Sequence, residues 1–320
     1  MHSDPKNTVM IFSVIISTYN RASLLRSAVS SVLNQDFDRQ RYEIIVVDNN
    51  STDATRSVVE ELINANPQAR ITYLFEKEQG LSAARNAGAR AAEGEILAFI
   101  DDDSEAEPGW LAALQEAYLT DESAASVGGK ILPEWIGGKP EWFPQIAETI
   151  NSLDMGEEPT EFVFPMHPFG GNLSVRKTVM ERLGGFSTAL GRKKRGYLSN
   201  EEKDFYSRLE RLGPGKVLYA PEAVVMHKAF RLRLTRRYLL GRFYWQGISE
   251  AICEQEANSP RRTALLISGL KRAGEIFRNG IRLIPRVLSG KPETYLNDVV
   301  RLSCEIGYCR QEIVGAFFPK

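Results

Sequence analysis

The sequence is poor in cysteine and in long apolar runs, and both absences exclude classes of protein. Of its 320 residues only three are cysteine, Cys253, Cys304 and Cys309. Their number is odd and their spacing matches no zinc-binding pattern, so we expect reduced thiols in a cytoplasmic protein. No stretch reaches the roughly 20 apolar residues of a membrane-spanning helix. The polar stretch 1–7 predicts no signal peptide.

The chain as a whole also lacks an excess of charge of one sign, although each of its two parts has one. The net charge is −1. Residues 1–228 carry 24 basic and 33 acidic side chains, whereas residues 229–320 carry 16 basic and 8 acidic ones. The acidic front argues against a nucleic-acid-binding protein, because such proteins neutralise phosphates with Lys and Arg. The basic end suits an anionic surface.

Short apolar runs alternate with amphipathic stretches over the first 120 residues. The strand-like runs are 9–17, 42–47, 71–75 and 96–100. Such alternation predicts an α/β fold, with a mostly parallel sheet flanked by helices on both faces. The first run is followed by neither a Gly-x-Gly-x-x-Gly loop nor a Walker loop. The usual dinucleotide-binding and P-loop forms of this architecture are therefore excluded.

Polar clusters follow three of these runs, at 18–21, 48–53 and 101–103. Since ligands of parallel sheets bind beyond the carboxyl ends of the strands, we expect the three clusters to share one site. Asp101, Asp102 and Asp103 repel one another and are costly to desolvate, unless a divalent cation takes their oxygens as ligands. Taken alone, three aspartates are explained equally well by a solvated acidic turn. The convergence of three clusters favours the cation.

The middle of the chain offers fewer signals. Residues 133–168 mix aromatic side chains with Pro and Gly, and we expect a mobile acceptor loop there. Asn200 is a suitable helix cap, which places Glu201 and Glu202 in a first helical turn, where the helix dipole stabilises anions. A lone histidine is usually structural, but His227 at the end of a predicted strand is a candidate metal ligand.

The last ninety residues, 231–320, predict basic amphipathic helices. Between positions 261 and 286 there are seven basic residues and one acidic residue, Glu275, with apolar residues at helical spacing between them. Basic amphipathic helices are typical of membrane-surface elements, here over 231–290. A helical hairpin packed on the main domain, or a homodimer contact, fits the pattern equally well.

Four stretches now stand in order, at 14–21 (VIISTYNR), 43–53 (EIIVVDNNSTD), 80–88 (GLSAARNAG) and 99–103 (FIDDD). Together they closely resemble family 2 glycosyltransferases of the GT-A fold, and Gly171-Asn172 and residues 201–204 continue the match. The resemblance implies a GT-A domain over 1–230 and a C-terminal helical region over 231–320. It also implies inverting transfer of a sugar from a nucleotide sugar, usually a UDP-sugar, to an acceptor hydroxyl, with Mn²⁺ or Mg²⁺ as cofactor.

The same resemblance implies roles for individual residues. Asp103 and His227 would hold the metal. The pair Glu201-Glu202 stands where the family commonly has Glu-Asp, so Glu202, Glu201 and Asp204 are all candidates for the catalytic base. The sugar or acceptor would contact Gly171, Asn172 and Trp135. The nucleotide sugar would contact Thr18, Asn20, Arg21, Asp48, Asn50, Asp53, Arg85, Asn86, Asp101 and Asp102.

The implied partners are a nucleotide-sugar donor and a glycan or lipid-linked acceptor of cell-surface polysaccharide synthesis, without nucleic acid. The enzyme would be cytoplasmic and in peripheral contact with the cytoplasmic face of the membrane. An alternative is a non-catalytic nucleotide-sugar-binding subunit of a glycan assembly complex, which the carboxylates at both the metal and base positions disfavour. A nucleotidyltransferase usually has a Gly-rich basic loop after the first strand, and residues 18–21 do not form one.

Overall fold

The computed structural model describes residues 10–193, 196–213, 215–258 and 260–317. The chain divides into two compact units. The first contains the chain up to Glu134 together with Ser152–Thr188 and Glu201–Lys228. The second contains Trp135–Asn151, Ala189–Asn200 and the chain from Ala229 onward. Two inserted segments thus join the C-terminal helices, a division that differs from the single boundary expected at residue 230.

The first unit is built on one mixed sheet. Within the described residues its strands are β1 (Phe12–Thr18), β2 (Tyr42–Asp48), β3 (Ile71–Phe75), β4 (Ile96–Asp101), β5 (Ser104–Ala106), β6 (Ala124–Trp135), β7 (Thr160–Glu161), β8 (Leu173–Arg176) and β9 (Lys216–Ala229). The strand order is β3-β2-β1-β4-β8-β6-β9-β5, and β7 pairs with β9. The first unit also contains the helices α1 (Ala22–Leu33), α2 (Thr55–Ala65), α3 (Leu81–Ala91), α4 (Trp110–Thr120), α5 (Lys177–Leu183) and α6 (Glu201–Leu212), and a 3₁₀ turn at Arg39–Arg41.

The predicted parallel order holds for the first four strands and stops at β4. Strands β3, β2, β1 and β4 are parallel neighbours. Strand β8 is antiparallel to β4 and to β6, while β5 and β7 are antiparallel to β9. The predicted strand that ends at His227 is part of the longer strand β9, which continues through Pro221. Beyond β4, strands and helices no longer alternate regularly. The sequence therefore predicts the strands of this part of the sheet less clearly.

Helices cover both faces of the sheet, and alternate residues of β1 show this. Val14 and Ile16 pack with Leu25 of α1, whereas Ile15 packs with Ala84 of α3 on the opposite face. Because strand side chains point alternately to the two faces, a strand covered on both sides is apolar throughout. A Cβ at Gly88 would lie 2.5 Å from Cγ2 of Ile15, so α3 approaches β1 closely.

The second unit is helical. It contains α7 (Arg236–Asn258), α8 (Arg262–Leu288) and α9 (Leu296–Phe317), with 3₁₀ turns at Gln145–Ile150, Arg231–Leu234 and Pro292–Thr294. Helices α7 and α9 touch through their backbones, since a Cβ at Gly247 would lie 1.8 Å from the Cys304 carbonyl oxygen. Phe143 and Ala147 pack against Leu239 and Val300, which explains why segment 135–151 belongs to this unit. Within the described residues, no helix combines the length and the apolar content needed to cross a bilayer.

Candidate functional site

The three polar clusters meet at one edge of the sheet, as the sequence predicts. Strand β1 lies between β2 and β4, and its last residue, Thr18, is in register with Asp48. On the other side Ser17 is in register with Asp101. The loops after β1, β2 and β4 therefore begin side by side at the carboxyl ends of parallel strands, where ligands of such sheets bind.

Asp48 is buried and fixed by two hydrogen bonds. Its Oδ1 accepts from the Ser51 backbone N–H at 2.9 Å, and its Oδ2 accepts from the Tyr73 hydroxyl at 2.8 Å. Burial, and then the bond to Asp48, raises the pKa of Tyr73 to about 12. The sequence does not identify Tyr73 as a site residue, because it stands in the interior of a strand-like run with no motif around it.

Asn20 and Asp53 tie the loop after β1 to the loop after β2. The Asn20 side chain accepts from the Thr52 backbone N–H at 2.7 Å, and Asp53 Oδ2 accepts from the Ala22 backbone N–H at 3.0 Å. Burial alone would raise the pKa of Asp53, but the hydrogen bonds it accepts hold that pKa below the ordinary value. Both side chains thus shape the loops, while the neighbouring Asn50 is exposed, in a left-handed conformation with φ 64°.

Arg21 neutralises two of the three aspartates. Its Nη1 donates to Oδ1 of Asp102 at 2.8 Å and to Oδ2 of Asp103 at 2.6 Å. Both of these carboxylates are buried, whereas the Asp101 side chain is about one-third exposed. Burial raises the pKa of Asp102 to about 6 against the attraction of Arg21, and the nearby Asp103 charge adds to the rise. Asp101 is therefore the member of the triplet that solvent reaches most easily.

His227 lies beside Asp103 because of the pairing between β5 and β9. Ser104 is in register with His227, and the Asp103 carbonyl accepts from the Lys228 backbone N–H at 2.9 Å. The His227 Nε2 lies 3.6 Å from Oδ1 of Asp103. The two residues expected to bind metal are thus adjacent and buried.

A divalent ion fits this pair if a ligand completes its coordination. Asp103 offers a carboxylate and His227 an imidazole, and both groups coordinate divalent ions. Among the described residues, no group of three or more His, Cys, Asp or Glu side chains is arranged to hold a metal. Sites that use one or two protein ligands together with substrate phosphates are common for Mg²⁺. The donor set therefore suits an ion that is shared with a diphosphate.

Arg85 on α3 lies at the centre of a buried ionic cluster. Its Nη1 donates to Oε1 of Glu201 at 3.2 Å and to Oε1 of Glu202 at 3.0 Å, and its Nη2 donates to Oδ1 of Asp101 at 3.1 Å. Only 3% of the Arg85 side chain is exposed. Burial disfavours its charge, but the carboxylates of Glu202, Asp101 and Glu201 outweigh burial and raise the pKa of Arg85. This cluster joins the aspartate turn to the first turn of α6.

The three candidate bases in α6 have different surroundings. Glu201 is 3% exposed, whereas the Glu202 side chain is 15% exposed and its Oε1 also accepts from the Gly170 backbone N–H at 3.1 Å. Burial would raise the pKa of Glu202, but Arg85 and a backbone N–H hold it below the ordinary value. Asp204 pairs instead with Arg208, at 2.8 Å.

Gly170 is where the backbone approaches this cluster most closely. A Cβ there would lie 2.1 Å from Nη2 of Arg85 and 2.3 Å from Oε1 of Glu202. The next residue, Gly171, lies near Asp101, since its Cβ would be 3.3 Å from Oδ2 of that side chain. A side chain at position 170 would therefore displace the Arg85 guanidinium and the Glu202 carboxylate of the cluster.

The side chains of two predicted contact residues make their hydrogen bonds within the protein itself. Asn172 is fully buried; its Oδ1 accepts from the Trp110 indole at 2.8 Å and its Nδ2 donates to two backbone carbonyls. Asn86 exchanges two hydrogen bonds of 2.8 Å with the backbone of Phe186. In this structure the side chains of Asn172 and Asn86 hold the fold together, and their contacts with a substrate stay predictions.

Trp135 belongs to the second unit, where its ring meets that of Phe143 in an edge-on contact, with 5.5 Å between the ring centroids. In the first unit, one residue that the sequence did not suggest lies beside Glu202. The His167 ring stacks on Tyr206 of α6, with 5.5 Å between the ring centroids, and interacts electrostatically with Glu202. Burial lowers the pKa of His167. It follows an irregular stretch that carries no motif.

Comparisons with known proteins agree with this architecture. The family model described as Glycosyl transferase family 2 matches residues 13–181, just over half of the chain. A glucosyl-dolichyl phosphate glucuronosyltransferase of Haloferax volcanii is 30% identical over 250 residues, which are 77% of this chain and 78% of the relative. A GalNAc(5)-diNAcBac-PP-undecaprenol β-1,3-glucosyltransferase of Campylobacter jejuni is 35% identical over 222 residues, or 69% of this chain and 63% of the relative.

The fold is shared with a solved mannosyltransferase, PcManGT of Pyrobaculum calidifontis, whose structure contains GDP-Man and Mn²⁺. The TM-score is 0.62 at 20% sequence identity, and the match covers 99% of this chain and 89% of that one. This likeness confirms the predicted GT-A fold with its C-terminal helical region. Together with the matched family and the curated relatives, it leads to one conclusion: the chain is a glycosyltransferase and belongs to glycosyl transferase family 2.

Proposed function

We propose that this enzyme transfers a sugar, with inversion, from a nucleoside diphosphate sugar to a hydroxyl of a lipid-linked acceptor, with Glu202 as the base. The observation that carries the proposal is the Asp101–Arg85–Glu202 chain of contacts, at 3.1 and 3.0 Å. It couples a carboxylate at the sheet edge where the nucleotide would bind to a carboxylate that reaches solvent. An acceptor hydroxyl bound beside Glu202 would then face a donor bound beside Asp101.

Each part of the chain has a role that its chemistry supports. Glu202 is ionised at neutral pH because its pKa is held low, so it can accept the proton of the attacking hydroxyl. Asp48 would accept hydrogen bonds from a base or a ribose. Asp103 and His227 would hold the divalent ion, Mn²⁺ or Mg²⁺, which when bound offsets negative charge on the departing diphosphate. A single displacement by the hydroxyl inverts the anomeric centre and needs no protein nucleophile.

Among the three candidate bases, the geometry favours Glu202. Glu201 is more deeply buried and shares the same guanidinium, and Asp204 is engaged by Arg208 in the same helix. Glu202 is 15% exposed, and its fixed Oε1 belongs to the cluster through Arg85 and the Gly170 backbone N–H, whereas the fixed oxygen of Asp204 is held by Arg208. Glu201 then serves to position Arg85.

The substrates are proposed on the strength of the relatives. Both named relatives carry a lipid carrier in their names, dolichyl phosphate in one and undecaprenol in the other. A lipid-linked acceptor on a membrane surface and a UDP-sugar donor remain our proposals for this chain, and so does membrane contact through 231–290.

A panel of nucleotide sugars tests the donor site directly. Thermal unfolding would be followed with each donor, with and without Mn²⁺, for the wild type, Asp103→Ala and a control, Asp36→Ala, which changes an exposed aspartate. We expect one donor class to stabilise the wild type and the control in an Mn²⁺-dependent manner, and Asp103→Ala to lose that dependence. Stabilisation that is unchanged in Asp103→Ala would contradict the metal assignment. A donor that binds but is never hydrolysed or transferred would favour the non-catalytic subunit.

A further inference from the structure

Helix α8 presents an apolar stripe to solvent along most of its length. Its members are three or four residues apart, with one gap of seven, and so lie on one side of the helix, because an α-helix has 3.6 residues per turn. Each is between 51% and 80% exposed. The stripe comprises Ile267, Leu270, Phe277, Ile281, Ile284 and Leu288, with Gly274 between the second and third.

The opposite side of α8 is already occupied by α9. A Cβ at Gly269 would lie 2.9 Å from Cγ1 of Ile313, and Cys309 Sγ donates to the Gly269 carbonyl at 3.3 Å. Arg272 Nε pairs with Glu312 at 3.3 Å on the same side. Helix α8 thus has two apolar faces, one that packs within its unit and one that faces outward. Scattered exposed apolar residues are normal, but a continuous stripe marks an interaction surface.

Basic side chains line one edge of the stripe. Lys271, Arg278 and Arg282 each follow a stripe residue directly, so each lies about 100° around the helix from its apolar neighbour. All three are exposed. Glu275, the single acidic residue of α8, follows Gly274 and lies on the same edge, so this edge carries three positive charges and one negative charge. Arg286 also belongs to the helix, but it pairs with Asp298 at 2.6 Å. The outward surface is therefore apolar with a positively charged border.

The charge decides between two possible occupants. A second copy of α8 could cover the stripe, since its spacing also suits a two-helix seam. However, that pairing would add a second set of like charges at the positions of Lys271 and Arg278, and Gly274 would leave the seam thin at its middle. An anionic lipid surface instead matches both features, because its headgroups attract the basic border while the apolar stripe enters the acyl boundary.

We propose that the outward stripe of α8 docks this enzyme peripherally on an anionic bilayer, with the helix axis in the plane of the membrane. Phe277 and Ile281, at the middle of the stripe, enter the acyl boundary, and Lys271, Arg278 and Arg282 contact the headgroups. The purpose of the docking rests on the lipid-linked acceptor proposed above. The binding itself depends only on α8.

Vesicle flotation of the full chain tests this. The vesicles would be phosphatidylcholine alone or phosphatidylcholine with phosphatidylglycerol, at low and high salt. We expect the wild type to float with the anionic vesicles at low salt and to be released by high salt, because surface attraction is screened. The double variant Phe277→Glu, Ile281→Glu should bind about tenfold or more weakly. The control Leu119→Glu, at an exposed apolar residue of α4, should float like the wild type.

The outcomes separate docking from catalysis. Thermal unfolding of the double variant, with and without donor and Mn²⁺, shows whether it remains folded and binds the donor. Equal flotation of the folded double variant and the wild type would overturn the proposal, as would the absence of wild-type binding to anionic vesicles. A lipid-free dimer in sedimentation velocity that the double variant abolishes would also overturn it, in favour of a second copy. If flotation fails while the Mn²⁺-dependent donor effect persists, docking is refuted and glycosyl transfer stands.

Discussion

Replacing Arg85 by methionine should destabilise the enzyme strongly, and the loss should depend on pH. The substitution keeps a long apolar side chain but removes the charge that Asp101, Glu201 and Glu202 share at 3.0–3.2 Å. Glu201 is buried and would lose its counter-charge. The structure thus predicts a loss of stability that comes from uncompensated carboxylates rather than from a smaller side chain at position 85.

The magnitude follows from the number of contacts. With about 4 Å between charge centres and an effective dielectric constant of about 20, each ion pair is worth about 4 kcal/mol. Repulsion among the three carboxylates and the cost of desolvating the guanidinium cancel most of that sum. Removing one partner of a buried pair typically costs about 3–5 kcal/mol, and we expect Arg85→Met to lose that much of its free energy of unfolding at neutral pH.

Urea unfolding across a pH series is the assay. In Arg85→Met the buried carboxylates should have folded-state pKa values above their unfolded values, so they favour folding at low pH and lose that contribution as the pH rises through the folded-state pKa. The deficit relative to wild type should therefore shrink as the pH falls toward about 4.5. Arg56→Met, which removes the exposed pair with Glu60, is the control and should change little at any pH. A pH-independent deficit, or one no larger than the control's, would refute the reasoning.

Three further predictions follow from the same site. Asp103→Ala should lower kcat/KM by at least about a hundredfold at saturating Mn²⁺, because the charge on the leaving diphosphate is no longer offset. Steady-state kinetics over a metal titration measures this loss. Full rescue by excess Mn²⁺ would argue against Asp103 as a direct metal ligand. The acid limb of the kcat/KM profile that belongs to Glu202 should lie below pH 4.5, since its pKa is lowered, and a limb near neutrality would contradict its role as base. Gly170→Ala should reduce kcat about tenfold or more, because the added Cβ displaces Glu202. Gly109→Ala is the control and should leave kcat unchanged, since its Cβ would meet nothing within 4 Å. Equal rates in the two variants would show that the cluster tolerates the displacement of Glu202.

The sequence predicts the parallel part of the sheet, in which each strand is a short and mostly apolar run. The runs at 42–47, 71–75 and 96–100 gave β2, β3 and β4 to within one residue. The meeting of Asp48 with Asp101 at one sheet edge follows from parallel order alone. These features are local or depend only on strand direction, which is why a pattern of single residues is enough to find them.

Features that depend on long-range packing could not be predicted in this way. Segment 135–151 reads as an irregular loop because its apolar partners, such as Leu239 and Val300, lie far along the chain. The sequence marks Arg85, but its contact with Glu201 spans 116 residues and appears only once α3 and α6 are placed. His167 and Tyr73 lie next to predicted site residues without any motif that could have identified them.

The measurement that tests the central claim most directly is the rate of sugar transfer by Glu202→Gln under single-turnover conditions. The donor would be the one whose binding stabilises the enzyme with Mn²⁺. Glutamine keeps the shape of the side chain but cannot accept a proton from the acceptor. We expect donor affinity within about twofold of wild type and a transfer rate lower by about a hundredfold or more. Transfer at the wild-type rate would contradict the assignment of Glu202 as the base.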